Sequence, residues 1–480
     1  MRDRAVKSGQ EVSLPPLTAG KIYRSHRHMS TAFLVVWLIL VAYGLLMMFS
    51  ASYGISFIQS SANLKADLAQ TGGLTQDSPV REILAADATA LARKQAGLTL
   101  LGTLLALGIG GLINFRQLTR PAYSWIVYGL VTISLFYCRL GGVSINGARR
   151  WVYLGPIRFQ PSEIAKIGVV FFLAAYFARR KARMKGKPKA SVSWSKRAFL
   201  DVTWPALLVL LWVGLVLIQP HLSGAIIIFL ISGILFFMAD LPLKSKLLGL
   251  TQLVLLVLVF SLVFGLGYPL VTKQSAVDFV GQRFAHVTRR LDTFQDRENA
   301  SQDDRLQIEQ AEIALGSGGL TGKGIGRSAQ KLNFLSEAHN DFILPVIGEE
   351  LGFIGVISVI LLFLAFLVTG ILVAKNASNQ MAMLLAAGNT LLIVIQAFLN
   401  MAVAVSLIPT TGISLPFFSY GGTASIFFAL SAGLILCVSK SAVRTDPRLA
   451  RIVHKGKSKA GRGKESQKQL EEEDSMRYAV

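Results

Sequence analysis

The sequence predicts an all-α, polytopic integral membrane protein with about ten transmembrane helices and both termini in the cytoplasm. Of its 480 residues, 52% are hydrophobic and only 16% are charged, and the mean hydropathy is +0.51. Because a soluble domain carries about 25% charged residues, this composition excludes a soluble enzyme. The two cysteines lie in apolar runs and the histidines do not cluster, which argues against a disulfide framework and a zinc site.

Ten apolar runs approach the roughly 20 residues that cross a bilayer. They cover residues 32–50, 96–114, 122–139, 163–178, 202–218, 222–239, 247–268, 342–374, 381–405 and 424–438. Only Gln219, Pro220 and His221 separate the fifth run from the sixth, so these two helices must be antiparallel neighbours. The eighth run is longer than a bilayer requires, and we expect it to tilt or to begin in a vestibule.

The positive charges of the chain set its orientation. The sequence has 49 Lys and Arg against 27 Asp and Glu, a net charge of +22. With the N-terminus inside, +21 of this charge lies on the predicted cytoplasmic segments, as the positive-inside rule requires. The excess therefore indicates topology and contact with anionic lipid at the cytoplasmic face, and no nucleic acid partner is expected.

Three parts follow from this layout. A basic cytoplasmic segment, 1–31, precedes a membrane domain, 32–438, and a basic tail, 439–480, whose polar composition predicts disorder. Two outer segments are too long to be connectors: an extracellular insert, 53–95, and a large extracellular loop, 269–340.

A pair of arginines lies on the predicted outer side, in the motif Asn146-Gly-Ala-Arg149-Arg150-Trp151 between the third and fourth spans. The positive-inside rule does not account for them. The guanidinium fork suits phosphate, so a phosphate-binding role is one hypothesis. Pairing with outer carboxylates or lipid headgroups is the alternative.

Glu163 and Lys166 follow in the motif Gln160-Pro-Ser-Glu-Ile-Ala-Lys166. A spacing of three residues places them on one helix face at the membrane entrance. Ionisable residues inside a membrane are functional by default, although a purely structural clamp would have the same spacing.

A glycine-dense segment, 316–326, superficially resembles a P-loop but fails its pattern, because Gly324 follows Lys323 where Ser or Thr belongs. Its N–H groups and Lys323 could contact a pyrophosphate. A plain hairpin loop is the alternative.

The segment Glu337-Ala-His339-Asn-Asp341-Phe immediately precedes the eighth span. Asp341 could cap that helix, or it could act as a base at the outer membrane boundary. Glu349 and Glu350 lie about 12–14 Å further along the helix axis, where they require partners; Lys166 is one possibility.

The segment between the last two spans, 409–422, combines prolines and glycines with apolar residues and includes Ser419. Such a segment cannot form a regular helix yet stays at the membrane. We therefore interpret it as a re-entrant loop buried in protein, after which two glycines let the tenth helix approach closely.

Taken together, these motifs resemble the SEDS family of FtsW, RodA and SpoVE. The resemblance covers residues 32–438 apart from the insert. The matching stretches are Phe49–Ser52, Asn146–Trp151, Gln160–Lys166, the Gln219–Pro220 turn, Ala314–Gly324, Glu337–Ile343, Gly348–Gly355 and Pro409–Gly422. The family implies a peptidoglycan glycosyltransferase of the bacterial cell membrane that polymerises lipid II and works with a class B penicillin-binding protein.

The chain departs from the family pattern at several positions. His221 stands where the family usually has Asp, Gln307 follows Arg-Leu rather than Gly-Tyr, and Thr411 stands where many division-type relatives have Lys. The arginine motif and Glu337–His339 favour the FtsW branch and hence the division septum, whereas Leu332–Leu335 is more similar to RodA.

By this resemblance, Asp341 would be the general base that accepts the proton of the incoming lipid II hydroxyl as the nascent glycan strand grows. Undecaprenyl pyrophosphate would leave, its charge neutralised by basic side chains, with Mg²⁺ or Mn²⁺ left open as a cofactor. The substrate-binding candidates are Arg149, Arg150, Trp151, Glu163, Lys166, Gln307, Lys323, His339, Glu349, Glu350 and Ser419.

Two other functions remain open. A lipid II flippase would use intramembrane charges as a headgroup path and needs no base at the outer boundary. A scaffold would only position a transpeptidase among the membrane proteins of the divisome or elongasome.

Overall fold

A computed structural model of the chain describes residues 23–25, 29–70, 87–113, 115–145, 148–155, 157–184, 193–272, 275, 277–278, 281, 285, 288, 302–332, 334–410, 412–441 and 443–445. Several predictions fall outside these ranges. They concern nearly all of both termini, much of the insert and the outer loop, and Asn146, Gly147, Asn333 and Thr411.

Helices dominate the described residues. They are α1 Thr31–Gln70, α2 Ala90–Leu112, α3 Phe115–Leu118, α4 Pro121–Gly141, α5 Pro161–Met184, α6 Trp194–Ile218, α7 Leu222–Met238, α8 Leu243–Thr272, α9 Gln302–Ser317, α10 Ile343–Lys375, α11 Gln380–Ala404 and α12 Thr423–Lys440. Among the described ranges, nine helices are long and apolar enough to cross a membrane, and α7 is a shorter apolar helix. Each of the ten predicted spans thus corresponds to a helix, and the polytopic fold class is confirmed.

Two helices extend beyond the apolar runs that predicted them, one at its C-terminal end and one at its N-terminal end. The first span was predicted to end at residue 50, but α1 continues to Gln70; α2 begins at Ala90, six residues before the second run. Hydropathy registers the apolar stretch only, whereas a helix continues through polar residues of good helix propensity such as Lys65 and Gln70.

Short strands accompany the helices: β1 Tyr23–Ser25, β2 Val143–Ile145, β3 Ala148–Leu154, β4 Ile157–Phe159 and β5 Val443–Thr445. β2, β3 and β4 form an antiparallel sheet between α4 and α5, in a segment that hydropathy treats as a connector. β1 and β5 pair antiparallel in a compact unit of their own, distinct from the unit His28–Ser441 that contains the helices.

α5, α11 and α12 form the centre of the bundle. In their most hydrophobic stretches 78%, 72% and 72% of residues are buried, against 6% in α8, whose apolar face is left for lipid. α5 packs on α4, α7 and α11, while α10 packs on α1 and α11. Five helix ends meet at one end of the bundle. They are the C-terminal end of α11 and the N-terminal ends of α5, α7, α10 and α12.

Candidate active site

A cavity of about 550 Å³ opens at this end of the bundle. It brings together side chains from the β-sheet, from α5, α7 and α11, and from the segments that precede α10 and α12. Six residues predicted to serve the site line it: Arg150, Trp151, Glu163, Lys166, His339 and Asp341. Residues far apart in the sequence therefore share one space of a size suited to a small-molecule ligand.

The first turn of α5 carries the predicted ion pair. Lys166 Nζ lies 2.7 Å from Glu163 Oε2, and the two side chains are only 4% and 8% exposed. Lys166 Nζ also donates to Gln396 Oε1 at 2.6 Å. Pro161 begins the helix and so projects Glu163 and Lys166 from its first turns onto one face. The ammonium thus stays buried and paired at the edge of the cavity.

Asp341 belongs to a segment whose backbone is tied down at three successive residues. Asn400 Nδ2 donates to the Asp341 carbonyl at 2.7 Å, Ser419 Oγ donates to the Asn340 carbonyl at 2.6 Å, and Tyr420 N donates to the His339 carbonyl at 2.8 Å. Ser419 therefore acts on the backbone; it is buried and does not line the cavity.

The Asp341 carboxylate borders Gly412. Gly412 has φ +67°, and a Cβ built on it would lie 3.3 Å from Asp341 Oδ2, so glycine leaves space for the carboxylate. Phe342, and not Asp341, occupies the N-cap position of α10, and the Phe342 side chain makes no capping hydrogen bond.

His339 lies beside Asp341 in the same lining. Burial holds the pKa of the His339 imidazole below its ordinary value, and the Glu337 carboxylate opposes this shift only in part. The ring packs on Tyr420, with centroids 5.8 Å apart. At neutral pH the imidazole is therefore uncharged and able to donate or accept a hydrogen bond.

The β-sheet supplies the arginines of the cavity. Arg150 and Trp151 lie on β3, and the Arg158 guanidinium of β4 is 4.7 Å from the centre of the Trp151 ring. Arg149 is exposed and lies outside the lining. Of the predicted arginine pair, only Arg150 therefore lines the cavity, and the second arginine of the lining is Arg158, which the motifs did not identify. A prediction that β3 and β4 pair would have placed Arg158 near Trp151.

His221, which stands where the family usually has Asp, also lines the cavity. Its Nδ1 lies 2.9 Å from Ser162 Oγ and 3.2 Å from Gln160 Nε2. The imidazole therefore links the turn between α6 and α7 to the start of α5.

Glu349 and Glu350 lie elsewhere, in a closed cluster. Lys323 Nζ is 2.7 Å from Glu349 Oε1, and Lys331 Nζ is 2.7 Å from Glu350 Oε1. Ser50 Oγ donates to Glu350 at 2.7 Å. The suggestion that Lys166 neutralises these carboxylates was therefore wrong, because nearer lysines from the segment before α10 take that place.

The glycine-dense segment packs against a kink in α10. Gly352 interrupts that helix with φ +66°, and a Cβ on Gly322, whose φ is +78°, would collide with the Glu350 carbonyl. The N–H groups of Lys323 and Gly324 donate to the carbonyls of Glu349 and Glu350 at 2.9 Å. These donors are used within the protein and do not face the cavity.

Gln307 on α9 is also outside the lining; its Nε2 is 3.4 Å from the Ser336 carbonyl. Six of the twelve predicted site residues thus lie away from the cavity: Arg149, Gln307, Lys323, Glu349, Glu350 and Ser419.

A divalent cation finds little support in the described ranges. Within them, no three His, Cys, Asp or Glu side chains lie close enough together to hold a metal ion. A dedicated protein site of the usual three or four ligands is therefore not formed by these residues.

Comparison with known proteins gives a consistent result. The sequence profile of the FtsW/RodA/SpoVE family, described as cell cycle proteins, matches residues 76–444. The "Probable peptidoglycan glycosyltransferase FtsW" of Geobacter sp. (strain M18) is 35% identical over 307 residues, covering 64% of this chain and 74% of that protein.

Two solved structures share the fold. One, from a study of the structural coordination of polymerization and crosslinking by a peptidoglycan synthase complex, aligns with a TM-score of 0.56 at 26% identity, over 86% of this chain and 97% of that one. The rod shape determining protein RodA of Thermus thermophilus aligns with a TM-score of 0.53 at 25% identity, over 86% and 97%.

Proposed function

The chain belongs to the FtsW/RodA/SpoVE family of cell cycle proteins, and we propose that it is a peptidoglycan glycosyltransferase that polymerises lipid II. The observation that carries this proposal is one cavity in which Asp341 shares the lining with Arg150, Arg158 and Lys166. A carboxylate able to accept a proton and cations able to hold a phosphate are what transfer from a pyrophosphate donor requires.

The reaction is a displacement at the anomeric carbon of the growing, lipid-linked strand. Asp341 accepts the proton of the 4-hydroxyl of the incoming lipid II sugar, whose oxygen forms the new glycosidic bond. The bond from the anomeric carbon to undecaprenyl pyrophosphate breaks at the same time. A single displacement inverts the donor's α linkage and produces a β-1,4 linkage.

Basic side chains stabilise the leaving pyrophosphate. Arg150 and Arg158 present guanidinium groups at the sheet side of the cavity, and Lys166 adds an ammonium from α5. Glu163 pairs with Lys166 and so offsets part of its charge before the pyrophosphate develops. Stabilisation of developing charge by such fixed groups is a large term in catalysis. If Mg²⁺ or Mn²⁺ accompanied the pyrophosphate, it would neutralise further negative charge on the leaving group.

The topology suits polyprenyl-linked substrates. The cavity lies at the end of the bundle that the charge distribution predicts to be extracellular, and exposed apolar helix faces leave room for the lipid tails. We place the protein in the bacterial cytoplasmic membrane, with the septum favoured because curated relatives carry the name FtsW. A class B penicillin-binding protein is the proposed partner, consistent with a structural relative that belongs to a peptidoglycan synthase complex.

A flippase is the second candidate, and the position of the charges bears on it. Glu349 and Glu350, which could have continued a headgroup path, are enclosed by Lys323, Lys331 and Ser50. Among the described residues, the charged side chains that line the cavity lie at one end of the bundle. Such a distribution suits a reaction at one membrane face better than a route across the membrane.

The test uses the chain co-purified with its penicillin-binding partner and incubated with labelled lipid II. Asp341→Asn keeps the shape of the side chain but removes the base, and we expect glycan polymer to fall by about 10²–10⁴-fold. Glu309→Gln, on the exposed face of α9, is the matched control and keeps wild-type activity.

Two outcomes would contradict the proposal. Equal polymer from wild type and Asp341→Asn would remove the base assignment. No polymer from any form, together with headgroup translocation in vesicles, would instead establish the flippase.

A further inference from the structure

We propose that Gln396 and Asn400, one turn apart on α11, are positioning residues that set Lys166 and Asp341 at their working separation. The proposal rests on the proposed glycosyltransferase function and extends it to residues that no sequence motif singled out. Both residues are buried, at 1% and 0% exposed. Each connects one charged residue of the site to the segment 412–414.

Gln396 connects to Lys166. The Lys166 ammonium has only donors, so the atom 2.6 Å from its Nζ must be the amide oxygen Oε1. The Gln396 Nε2 group then points to Ser414, whose carbonyl it meets at 3.2 Å. The hydrogen-bond partners therefore leave a single orientation of this amide.

Asn400 connects to Asp341. Its Nδ2 donates to the Asp341 carbonyl at 2.7 Å and to the Ile413 carbonyl at 2.6 Å, which uses both amide hydrogens. Its Oδ1 is buried without a hydrogen-bond partner among the described residues. Because an unsatisfied buried acceptor is unfavourable, the contribution of this side chain lies in its two donors.

The two amides act from one rigid element. A separation of four residues places them on the same helix face, about 6 Å apart along the axis. Both also hold the segment 412–414, which includes Gly412 beside the Asp341 carboxylate. α11 thus contacts Lys166 through Gln396 and Asp341 through Asn400, and both amides also contact the segment 412–414.

Asn400 itself does not line the cavity, so it acts through Asp341 and not on the substrate. A general base works only within about 2.6–3.2 Å of the proton it accepts. A displacement of about 1 Å can cost roughly 100-fold in rate. The loss of these donors should therefore slow the chemical step more than it weakens substrate binding.

The experiment measures kcat and KM of the complex with labelled lipid II for Asn400→Ala and for Asn389→Ala. Asn389 is a matched control: it is equally buried on α11 and donates to the Leu385 carbonyl at 2.8 Å, away from the site. We expect kcat of Asn400→Ala to fall about 10–100-fold with KM changed less than threefold, because a base displaced by about 1 Å or less still leaves the substrate bound. Asn389→Ala should lose as much thermal stability as Asn400→Ala but keep the kcat of the wild-type complex.

A second arm separates positioning from general damage. In an Asp341→Asn background, Asn400→Ala should lower the residual rate less than twofold, because the group that it positions is already missing. Asn400→Ser keeps one donor, so its kcat should lie between those of wild type and Asn400→Ala. This variant also serves as the test if Asn400→Ala does not fold.

A kcat for Asn400→Ala within twofold of Asn389→Ala, or equal losses in the wild-type and Asp341→Asn backgrounds, would overturn the proposal. Failure of the glycosyltransferase function itself is recognised separately, because the wild-type complex would then make no polymer.

Discussion

Two buried lysine–glutamate pairs in this protein have the same local geometry and opposite surroundings. Lys166 with Glu163 and Lys331 with Glu350 both have N–O distances of 2.7 Å, and both lysines are 4% exposed. The first pair borders the cavity. The second is closed: Ser50 and Ser328 donate to Glu350, and Lys331 also donates to Ser50.

The difference shows that burial of charge does not by itself mark a site of chemistry. In the closed cluster, Ser50 of α1 and Lys323 of the glycine-dense segment bind the carboxylates of α10, and these contacts hold that segment on the kink at Gly352. In the open pair, the ammonium is held by α5 and α11 at the edge of a space that a substrate can enter. The first arrangement is suited to stability and the second to binding and catalysis.

Removing one partner of the closed pair gives the largest expected effect. Lys331→Met leaves Glu350 buried without its cation, which should cost about 3–5 kcal/mol of stability. Thermal unfolding in detergent measures it, with Arg305→Ala, on an exposed pair with Glu309, as a control that changes stability by about 0.3–0.5 kcal/mol. The double variant Lys331→Met/Glu350→Gln should recover part of the loss. No recovery would mean that the pair is not the source of the effect.

The same substitution in the open pair should act on the reaction. Lys166→Met removes a cation from the side of the cavity where we propose that the pyrophosphate leaves. We expect polymer synthesis to fall about 100–1,000-fold, the magnitude found when one stabilising group is lost. Its thermal stability should fall less than that of Lys331→Met, because water in the cavity can solvate Glu163. Activity per folded molecule, compared between the two variants, measures the contrast. If Lys331→Met lowered this specific activity as much as Lys166→Met, the contrast would not hold.

A smaller effect should appear with pH on the open side. Burial lowers the pKa of His339, so the unfolded chain takes up a proton below about pH 6.5 while the folded chain does not. Stability should therefore fall as the pH drops through 6.5, until the lower pKa of the folded state is reached. Unfolding temperatures at pH 7.5 and 5.5 test this: His339→Gln should lose less stability than wild type, whereas His454→Gln, in the predicted tail, should behave like wild type. Equal losses in all three proteins would contradict it.

Most of the fold was accessible from the sequence because the bilayer imposes a strong and local signal. A run of about 20 apolar residues is sufficient to predict a spanning helix, and each of the ten predicted runs corresponds to a helix. The three-stranded sheet β2–β4 escaped notice since its strands are three to seven residues long and lie between two spans. The extension of α1 to Gln70 escaped for a related reason, as hydropathy does not register a helix that continues into polar sequence.

The site was only partly accessible. Motifs identified Asp341, Glu163 and Lys166, whose types and positions near span ends carry chemical meaning. Motifs could not show that Lys166 and Glu163 line the cavity while Lys323 and Glu349 do not. That difference depends on neighbouring residues from distant parts of the chain. Asn400 and Gln396 were missed altogether, since a buried amide within an apolar helix is recognised only by what it contacts.

The sequence by itself determined that this is a membrane protein of about ten spans, which family it resembles, and which ionisable residues need an explanation. Those conclusions depend on composition, on charge and on spacing along one segment, all of which are local. Only the tertiary structure decided which charges face a shared cavity, that Arg158 rather than Arg149 borders it, and that Lys331 and not Lys166 neutralises Glu350. Partners of a buried charge are chosen by proximity in space, and packing of distant helices sets that proximity.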